Sequence, residues 1–273
     1  MPYFGGKITL GPVIASLLPA HKHYVEPYCG SLAVLFAKTP AAHETVNDLD
    51  GELMTFWRVL RERPDDLARV CALTPHSRAE HQAAYEPTED DLETARRVFV
   101  RLTQGRSGKL RKTGWRHFVK PGGSSVGMPA YLAGYVDRMA PAVERLAGVS
   151  LESMPALDLI AKYGADPEVL LYVDPPYLGT TRAESVDGYK HEMLAEDDHR
   201  ALAEALHSAR AAVVLSGYPS DLYDRELYAG WDRHTMATGT GQGDKQWGNR
   251  TEVLWSNRPL GVQPSLFDEM EAA

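Results

Sequence analysis

The tetrapeptide Asp174-Pro175-Pro176-Tyr177 stands directly after the apolar run 169–173, and it combines groups able to act on an exocyclic amine. In an open α/β sheet the carboxyl end of a strand is where ligands bind. The amino nitrogen of adenine is a poor nucleophile because its lone pair is delocalised into the ring. A carboxylate from Asp174 and the main-chain carbonyl of Pro175 can accept its two hydrogens and so localise the lone pair toward an incoming methyl group. Proline brings the carbonyl without a competing N–H donor. Tyr177 would supply a flat face for a base rotated out of its stack. Asp174, Pro175 and Tyr177 are therefore the candidate catalytic residues, for an in-line methyl displacement governed by positioning and electrostatics, with no metal required.

A second constellation lies in the first fifty residues. Glu26-Pro27-Tyr28-Cys29-Gly30-Ser31 follows one candidate strand and opens a helix, with Gly30 letting the backbone approach a ligand at the helix start. About twenty residues on, Asn47-Asp48-Leu49-Asp50 ends the next strand, where an acid commonly binds ribose hydroxyls in dinucleotide folds. Asp48 is the first choice and Asp50 the second, since either could instead cap the following helix. Gly5-Gly6-Lys7 could offer backbone N–H groups and an ammonium to a carboxylate, although most Gly-Gly turns bind nothing.

The elements that must position these residues are short apolar runs alternating with amphipathic segments, the pattern of a largely parallel sheet with helices on both faces. Strands are predicted at 24–27, 44–47, 149–152, 169–173, 212–216 and 251–255, with a weaker one at 232–237. Helices are predicted at 10–18, 31–37, 51–61, 92–104, 130–146 and 196–210. The stretch 52–147 between the second and third strands is far longer than a simple crossover needs and must hold an inserted, mainly helical module. The expected organisation is a discontinuous catalytic domain, 1–54 and 148–260, an insert at 55–147, and a tail at 261–273.

The chain has 273 residues, a net charge of -8, and 44% hydrophobic against 24% charged content, ordinary for a globular protein with a sizeable core. No run approaches the ~18 apolar residues of a membrane span, and the first residues lack a signal peptide's pattern, so a cytoplasmic protein is expected. Cys29 and Cys71 are too few for a disulfide framework, and reduced thiols are expected. The negative total argues against indiscriminate coating of nucleic acid, but the charge is segregated. From residue 96 to 120 there are nine Lys and Arg and no acid. Within that run Arg106, Lys109, Arg111, Lys112, Arg116 and Lys120 lie in a Gly- and Ser-rich arm that interleaves Trp115, His117 and Phe118, a mixture suited to touching phosphates and a groove. Duplex DNA is the expected partner. The polar stretches 178–194 and 239–247 are expected to wall the site, the first as a loop that orders over a flipped nucleotide.

Taken in order, Gly5-Gly6-Lys7, Glu26 to Gly30, Asp48, the basic insert and Asp174 to Tyr177 resemble the Dam-like, D12-class DNA adenine methyltransferases of the α motif order. The resemblance spans nearly the whole chain. It implies a Rossmann-like methyltransferase sheet with an inserted target-recognition domain, S-adenosylmethionine as cofactor, and methylation of N6 of a flipped adenine. It implies a cofactor site built from Tyr3, Gly5, Gly6, Lys7, Glu26, Tyr28, Gly30, Asp48, Asp50 and Asp174. Lys7 would meet the methionine carboxylate and Asp158 would lie near the cofactor's adenine. The chain departs from the family at Leu32, where a second glycine is common.

The residues alone leave alternatives open: methylation of guanine N2 in RNA, where some enzymes also carry Asp-Pro-Pro-Tyr, or DNA binding without catalysis. A last feature, Gln263-Pro264-Ser265-Leu266-Phe267, is similar to peptides that dock on the bacterial sliding clamp through residues such as Gln263, Leu266 and Phe267.

Overall fold

The computed structural model describes residues 1–117, 127–181, 191–238 and 250–261. Lys120, the loop residues 182–190 and 239–249, and the clamp-like segment with Gln263, Leu266 and Phe267 lie outside the described residues. Among those described, seven strands form one sheet in the order β3-β2-β1-β4-β5-β7-β6. They are β1 (His23–Glu26), β2 (His43–Asn47), β3 (Val149–Glu152), β4 (Val169–Val173), β5 (Ala212–Gly217), β6 (Asp232–Thr238) and β7 (Arg250–Ser256). The first five are parallel to one another, and β7 runs antiparallel to both β5 and β6. β1 lies beside β4, with the chain stepping to β2 and β3 on one side and to β5 on the other. That reversal of winding opens a crevice at the strands' carboxyl ends. The mixed α/β fold expected from the sequence is the one observed.

Every residue of β4 and β5 is buried, as expected of strands covered on both faces. Alternate side chains sort into two cores. Tyr24, Val46, Leu170, Tyr172, Val214 and Leu254 pack on one side with the helices of the insert. Val25, Leu171, Val173, Val213, Leu215, Val253 and Trp255 pack on the other, together with α9 (Ala156–Tyr163) and α10 (Glu196–Ser208). No helix among the described residues is long and apolar enough to cross a membrane. Both cysteines are free and buried, and burial pushes the Cys71 thiol up to about 12.

The first face also carries α1 (Gly11–Leu17), α2 (Ala33–Ala37), α3 (Gly51–Glu62), α4 (Pro64–Leu73), α5 (Arg78–Ala83), α6 (Asp91–Gln104), α7 (Met128–Val136) and α8 (Met139–Leu146). The helix predicted over 130–146 is two helices, broken at Asp137-Arg138. Pro141 explains the break: within one continuous helix its ring would collide with the residue 137 carbonyl, whereas in the first turn of α8 it loses no bond. The helix predicted from residue 31 begins at 33, because Leu32 is left-handed at φ 57°. That conformation costs about 1–2 kcal/mol for a non-glycine residue. Leu32 is fully buried, and losing such a side chain costs about 2–5 kcal/mol, so the balance favours leucine over the glycine common in the family.

Helix α3 runs unbroken through residues 54 and 55, and Met54, Phe56, Leu67 and Phe99 share a core with Tyr24 and Leu170 of the sheet. The insert is thus fused to the sheet through its hydrophobic core. A buried polar tie reinforces it. The Arg145 guanidinium of α8 grips both carboxylate oxygens of Glu44 on β2, and Lys38 Nζ lies 2.6 Å from the same carboxylate. These cations hold Glu44 below the usual carboxylate range despite its burial, which pushes the other way. The basic run is also partly structural. Arg96 and Arg97 clasp Glu93 at 2.6–2.7 Å, and the hydrogen bonds from Arg96 and then Arg97 pull that carboxyl down to about 2. Arg101 is buried and reaches Glu52 at 3.1 Å.

Candidate functional site

The carboxyl ends of β1, β2 and β4 face a cavity of about 300 Å³. Its walls come from segments far apart in sequence: 3–7, 26–31, 33–34, 47–50, 108–110, 155–157, Tyr172, Asp174, Pro176, 191–193, Asp198 and Ala201. Nearly all the residues predicted for the cofactor are brought together here, namely Tyr3, Gly5, Gly6, Lys7, Glu26, Tyr28, Gly30, Asp48, Asp50 and Asp174.

Gly30 is required by close packing. It has φ +44°, and a Cβ there would stand 3.0 Å from the Tyr3 ring, so the backbone's near neighbour is Tyr3. The Gly30 N–H donates to Asp48 Oδ2 at 3.1 Å, and the Asp50 N–H to Asp48 Oδ1 at 3.0 Å. Each Asp48 oxygen keeps a lone pair for another donor. Burial pushes the Asp48 carboxyl up to about 6, against the pull of the Asp50 and Gly30 amides. Asp50 instead caps α3, its Oδ1 accepting from the Glu52 N–H at 3.1 Å. Of the two acids, Asp48 therefore has the geometry for ligand hydroxyls.

Asn47 sets this corner. Its side-chain N–H groups donate to the carbonyls of Pro27 and Met154 at 2.9 and 3.0 Å, and its Oδ1 accepts from the Met154 N–H at 2.9 Å. One buried amide thus locks the loops after β1, β2 and β3. Leu49 and Leu157, both substantially exposed, form apolar lips at the mouth. An apolar mouth, a carboxylate anchored by two amides and a charged inner end suit a molecule with a flat base, a polyhydroxyl middle and an ionised tail. Glu26 lies at the wall with the Tyr24 hydroxyl donating to it at 2.9 Å, and burial lifts its carboxyl well above the usual range. Tyr28 reaches Met193 Sδ at 3.5 Å.

Asp158 departs from the expectation. It is exposed on the first turn of α9, while its neighbours Pro155, Ala156 and Leu157 line the cavity; the helix rotates it away.

At the inner end Lys7 enters a cluster of charges. Lys7 Nζ lies 2.8 Å from both carboxylate oxygens of Asp174, on the Tyr177 hydroxyl, and 3.5 Å from Glu252 Oε1. Two carboxylates, Glu252 buried and Asp174 half-buried on the cavity wall, hold the ammonium in place. The Tyr177 hydroxyl donates to Glu252 Oε1 at 2.8 Å, as does Ser216 Oγ at 2.8 Å. Pro175 and Tyr177 are buried. The Tyr177 ring lies against Tyr218, with centroids 4.4 Å apart, and has the Lys7 ammonium 4.9 Å from its centroid. Its face is packed rather than open for stacking in this conformation. Burial pushes the Asp174 carboxyl up to about 6; Lys7 pulls it down and Glu252 pushes it further up.

The predicted DNA-contact residues divide. Arg106, Arg111 and Lys112 are exposed after α6. Arg116 is half-buried, donating to the Tyr131 hydroxyl at 2.8 Å and stacked over its ring. Lys109 lies over the Phe4 ring at 4.6 Å and lines the cavity. The tight approach behind this is Gly108, at φ +60°, where a Cβ would meet the Pro2 and Tyr3 backbone at 3.1 Å. The basic arm is thereby joined to the wall of the cavity at Tyr3. Glu252, Tyr218 and Asn47 were not singled out from sequence. Glu252 carried a signal, a lone acid inside an apolar strand; Asn47 stood next to the predicted acid.

The model of a family described as D12 class N6 adenine-specific DNA methyltransferase matches residues 3–110 and 142–237. A Type II methyltransferase of Lactococcus lactis subsp. cremoris, M1.LlaDCHI, is 26% identical over 271 residues, covering 93% of each chain. A DNA adenine methylase of Vibrio cholerae serotype O1 is 24% identical over 241 residues, covering 84% of each.

Proposed function

From the premise that this chain belongs to the D12 class N6 adenine-specific DNA methyltransferases, and so methylates adenine in DNA, we propose that S-adenosylmethionine is its methyl donor and that Asp174 receives the target amine of an adenine turned out of the duplex. The observation that carries this reading is the position of Asp174: at the carboxyl end of β4, on the wall of the cavity that also holds Asp48.

Asp48 takes the ribose hydroxyls, Leu49 and Leu157 flank the base, and Tyr3, Gly5, Gly6, Glu26, Tyr28 and Gly30 shape the remaining wall. When bound, the donor supplies an electrophilic methyl carbon on a sulfonium. Asp174 accepts one N6 hydrogen and the Pro175 carbonyl the other, holding the amine in line. With the donor bound, its methyl carbon would pass to N6 with the C–S bonding pair left on sulfur, and the proton that N6 loses would pass to the Asp174 carboxylate and on to solvent. Tyr177 and Lys7 keep the Asp174 carboxylate oriented while buried protein excludes water.

The test is to incubate the protein with labelled S-adenosylmethionine and duplex DNA, tRNA or ribosomal RNA, then to digest and identify the methylated nucleoside. Label in N6-methyladenine from DNA is the expected result. Label in an RNA guanine, or in nothing, would remove the reading.

The insert at 55–147 is proposed as the DNA-contacting region. Residues 111–141 fall outside the matched family stretches, as a target-specific segment would. Replacing Arg106, Arg111 and Lys112 together by alanine is expected to weaken DNA binding and flatten the slope of log K against log salt by about 2 to 3. An unchanged slope in a binding titration would move the phosphate contacts elsewhere.

A further inference from the structure

Glu252 lies beyond the residues that match the family, 3–110 and 142–237, yet it is buried at the reacting end of the site. Strand β7 is antiparallel to β5, with Gly217 opposite Val253 and Ser216 opposite Leu254. Its early residues therefore arrive at the edge where the parallel strands finish. Glu252 Oε1 accepts from Tyr177 and Ser216 at 2.8 Å each and stands 3.5 Å from Lys7 Nζ.

We propose that Glu252 is a positioning residue for methyl transfer, holding the Lys7 ammonium and the Tyr177 hydroxyl so that Asp174 keeps a carboxylate oxygen for the target amine. The inference rests on the reading of Asp174 as the amine acceptor. The argument begins with a competition. Lys7 Nζ is 2.8 Å from both Asp174 oxygens, the distance at which an amine donor would also sit. An ammonium wholly committed to Asp174 would occupy that space and weaken the carboxylate as an acceptor. A second carboxylate within 3.5 Å gives the cation another place to go. When the amine arrives, the ammonium moves toward Glu252 and is at no point itself an unpaired buried cation, a condition that would otherwise be costly. Tyr177 hydrogen-bonds to both carboxylates, at 2.8 Å to Glu252 and 3.4 Å to Asp174, and bridges the two ends of this transfer.

The charged and titratable groups that interact with Asp174 are Lys7 from the N-terminal segment, Tyr177 from the turn after β4 and Glu252 from β7, with Glu26 at the end of β1, Tyr172 of β4 and Tyr223 beyond them. Lys7 favours its ionised form and Glu252 opposes it. Replacing Glu252 by a neutral isostere should therefore make Asp174 ionise at lower pH.

The experiment measures single-turnover methyl transfer with enzyme, S-adenosylmethionine and duplex DNA preassembled, over a range of pH, for wild type, Glu252→Gln, Glu252→Asp and Asp174→Ala. Glu252→Gln is expected to lower the rate constant up to about 100-fold, with Kd for DNA and donor changed less than about threefold. The acid limb of its profile moves to lower pH, and Glu252→Asp recovers part of the rate. A wild-type rate constant in Glu252→Gln, or a reduced one with the acid limb unmoved, overturns the proposal. Should Glu252→Gln fail to fold, Ser216→Ala removes one hydrogen bond from the same carboxylate; a reduced rate constant with unchanged Kd supports the proposal, and an unchanged rate constant overturns it. If Asp174→Ala still transfers methyl groups, the acceptor reading falls and this inference with it. If Asp174→Ala is inactive while Glu252→Gln behaves as wild type, only the inference about Glu252 falls.

Discussion

Asp174→Ala is expected to lower the single-turnover methyl-transfer rate constant by about 10²- to 10³-fold, the scale reached when a preorganised polar group is removed from a reacting centre. Donor affinity should change little, because the Asp48 anchor is held by the Gly30 and Asp50 amides and not by Asp174. The fold should also persist: without Asp174 the Lys7 ammonium still has Tyr177 and Glu252 as neighbours. A collapse of donor binding in calorimetric titration would mean that Asp174 shapes the cavity instead of receiving the amine. The pH dependence follows from the Asp174 carboxyl, pushed up to about 6 mainly by burial. Transfer by wild type should fall as pH drops below about 6, since the protonated acid has lost acceptor capacity. Stability responds in the opposite sense. A carboxyl whose folded pKa lies above its unfolded value of 3.8 contributes most to stability below that lower value, and the contribution is lost as pH rises through about 6. Relative to wild type, Asp174→Ala should therefore melt more favourably at pH 7.5 than at pH 4, a difference scanning calorimetry reads directly.

Asp48→Ala is expected to raise the Kd for S-adenosylmethionine by about 10²-fold or more. Two hydroxyl hydrogen bonds to an ionised acceptor are worth about 1.5 kcal/mol or more each, and each 1.4 kcal/mol is tenfold in affinity. Asp50→Ala provides the contrast. It removes the cap of α3, at a cost of about 1 kcal/mol of stability, and should leave donor affinity within a few fold. Equal losses of affinity in the two variants would show that the corner acts as one structural unit; an unchanged Kd in Asp48→Ala would place the ribose elsewhere. Because burial pushes Asp48 up to about 6, donor affinity in wild type should also weaken as pH falls below that value.

Much of this was legible before any coordinates. The strands predicted at 44–47 and 169–173 correspond to β2 and β4 within a residue, the second because a buried parallel strand leaves a continuous apolar run. The candidates Asp48 and Asp174 stand at the ends of those two strands, and the fold's crevice is where such ends meet. Boundaries were harder. One helix over 130–146 proved to be two, since apolar spacing continues across the break that Pro141 imposes. Asp158 has the right position in the chain and the wrong rotation on its helix, which spacing alone does not specify.

Local chemistry along the chain determined which residue types could accept an amine, anchor a hydroxyl or touch phosphate, and in what order they occur. Tertiary structure decided how the charges pair. Lys7 and Asp174 are 167 residues apart in sequence, and the acid that shares their ammonium comes from a strand running the opposite way, whose beginning meets the other strands' ends. Burial then does the rest: with water excluded, a cation goes to whichever carboxylates the fold brings within reach. That distance depends on strand order and direction, properties of the assembled sheet and of no single segment.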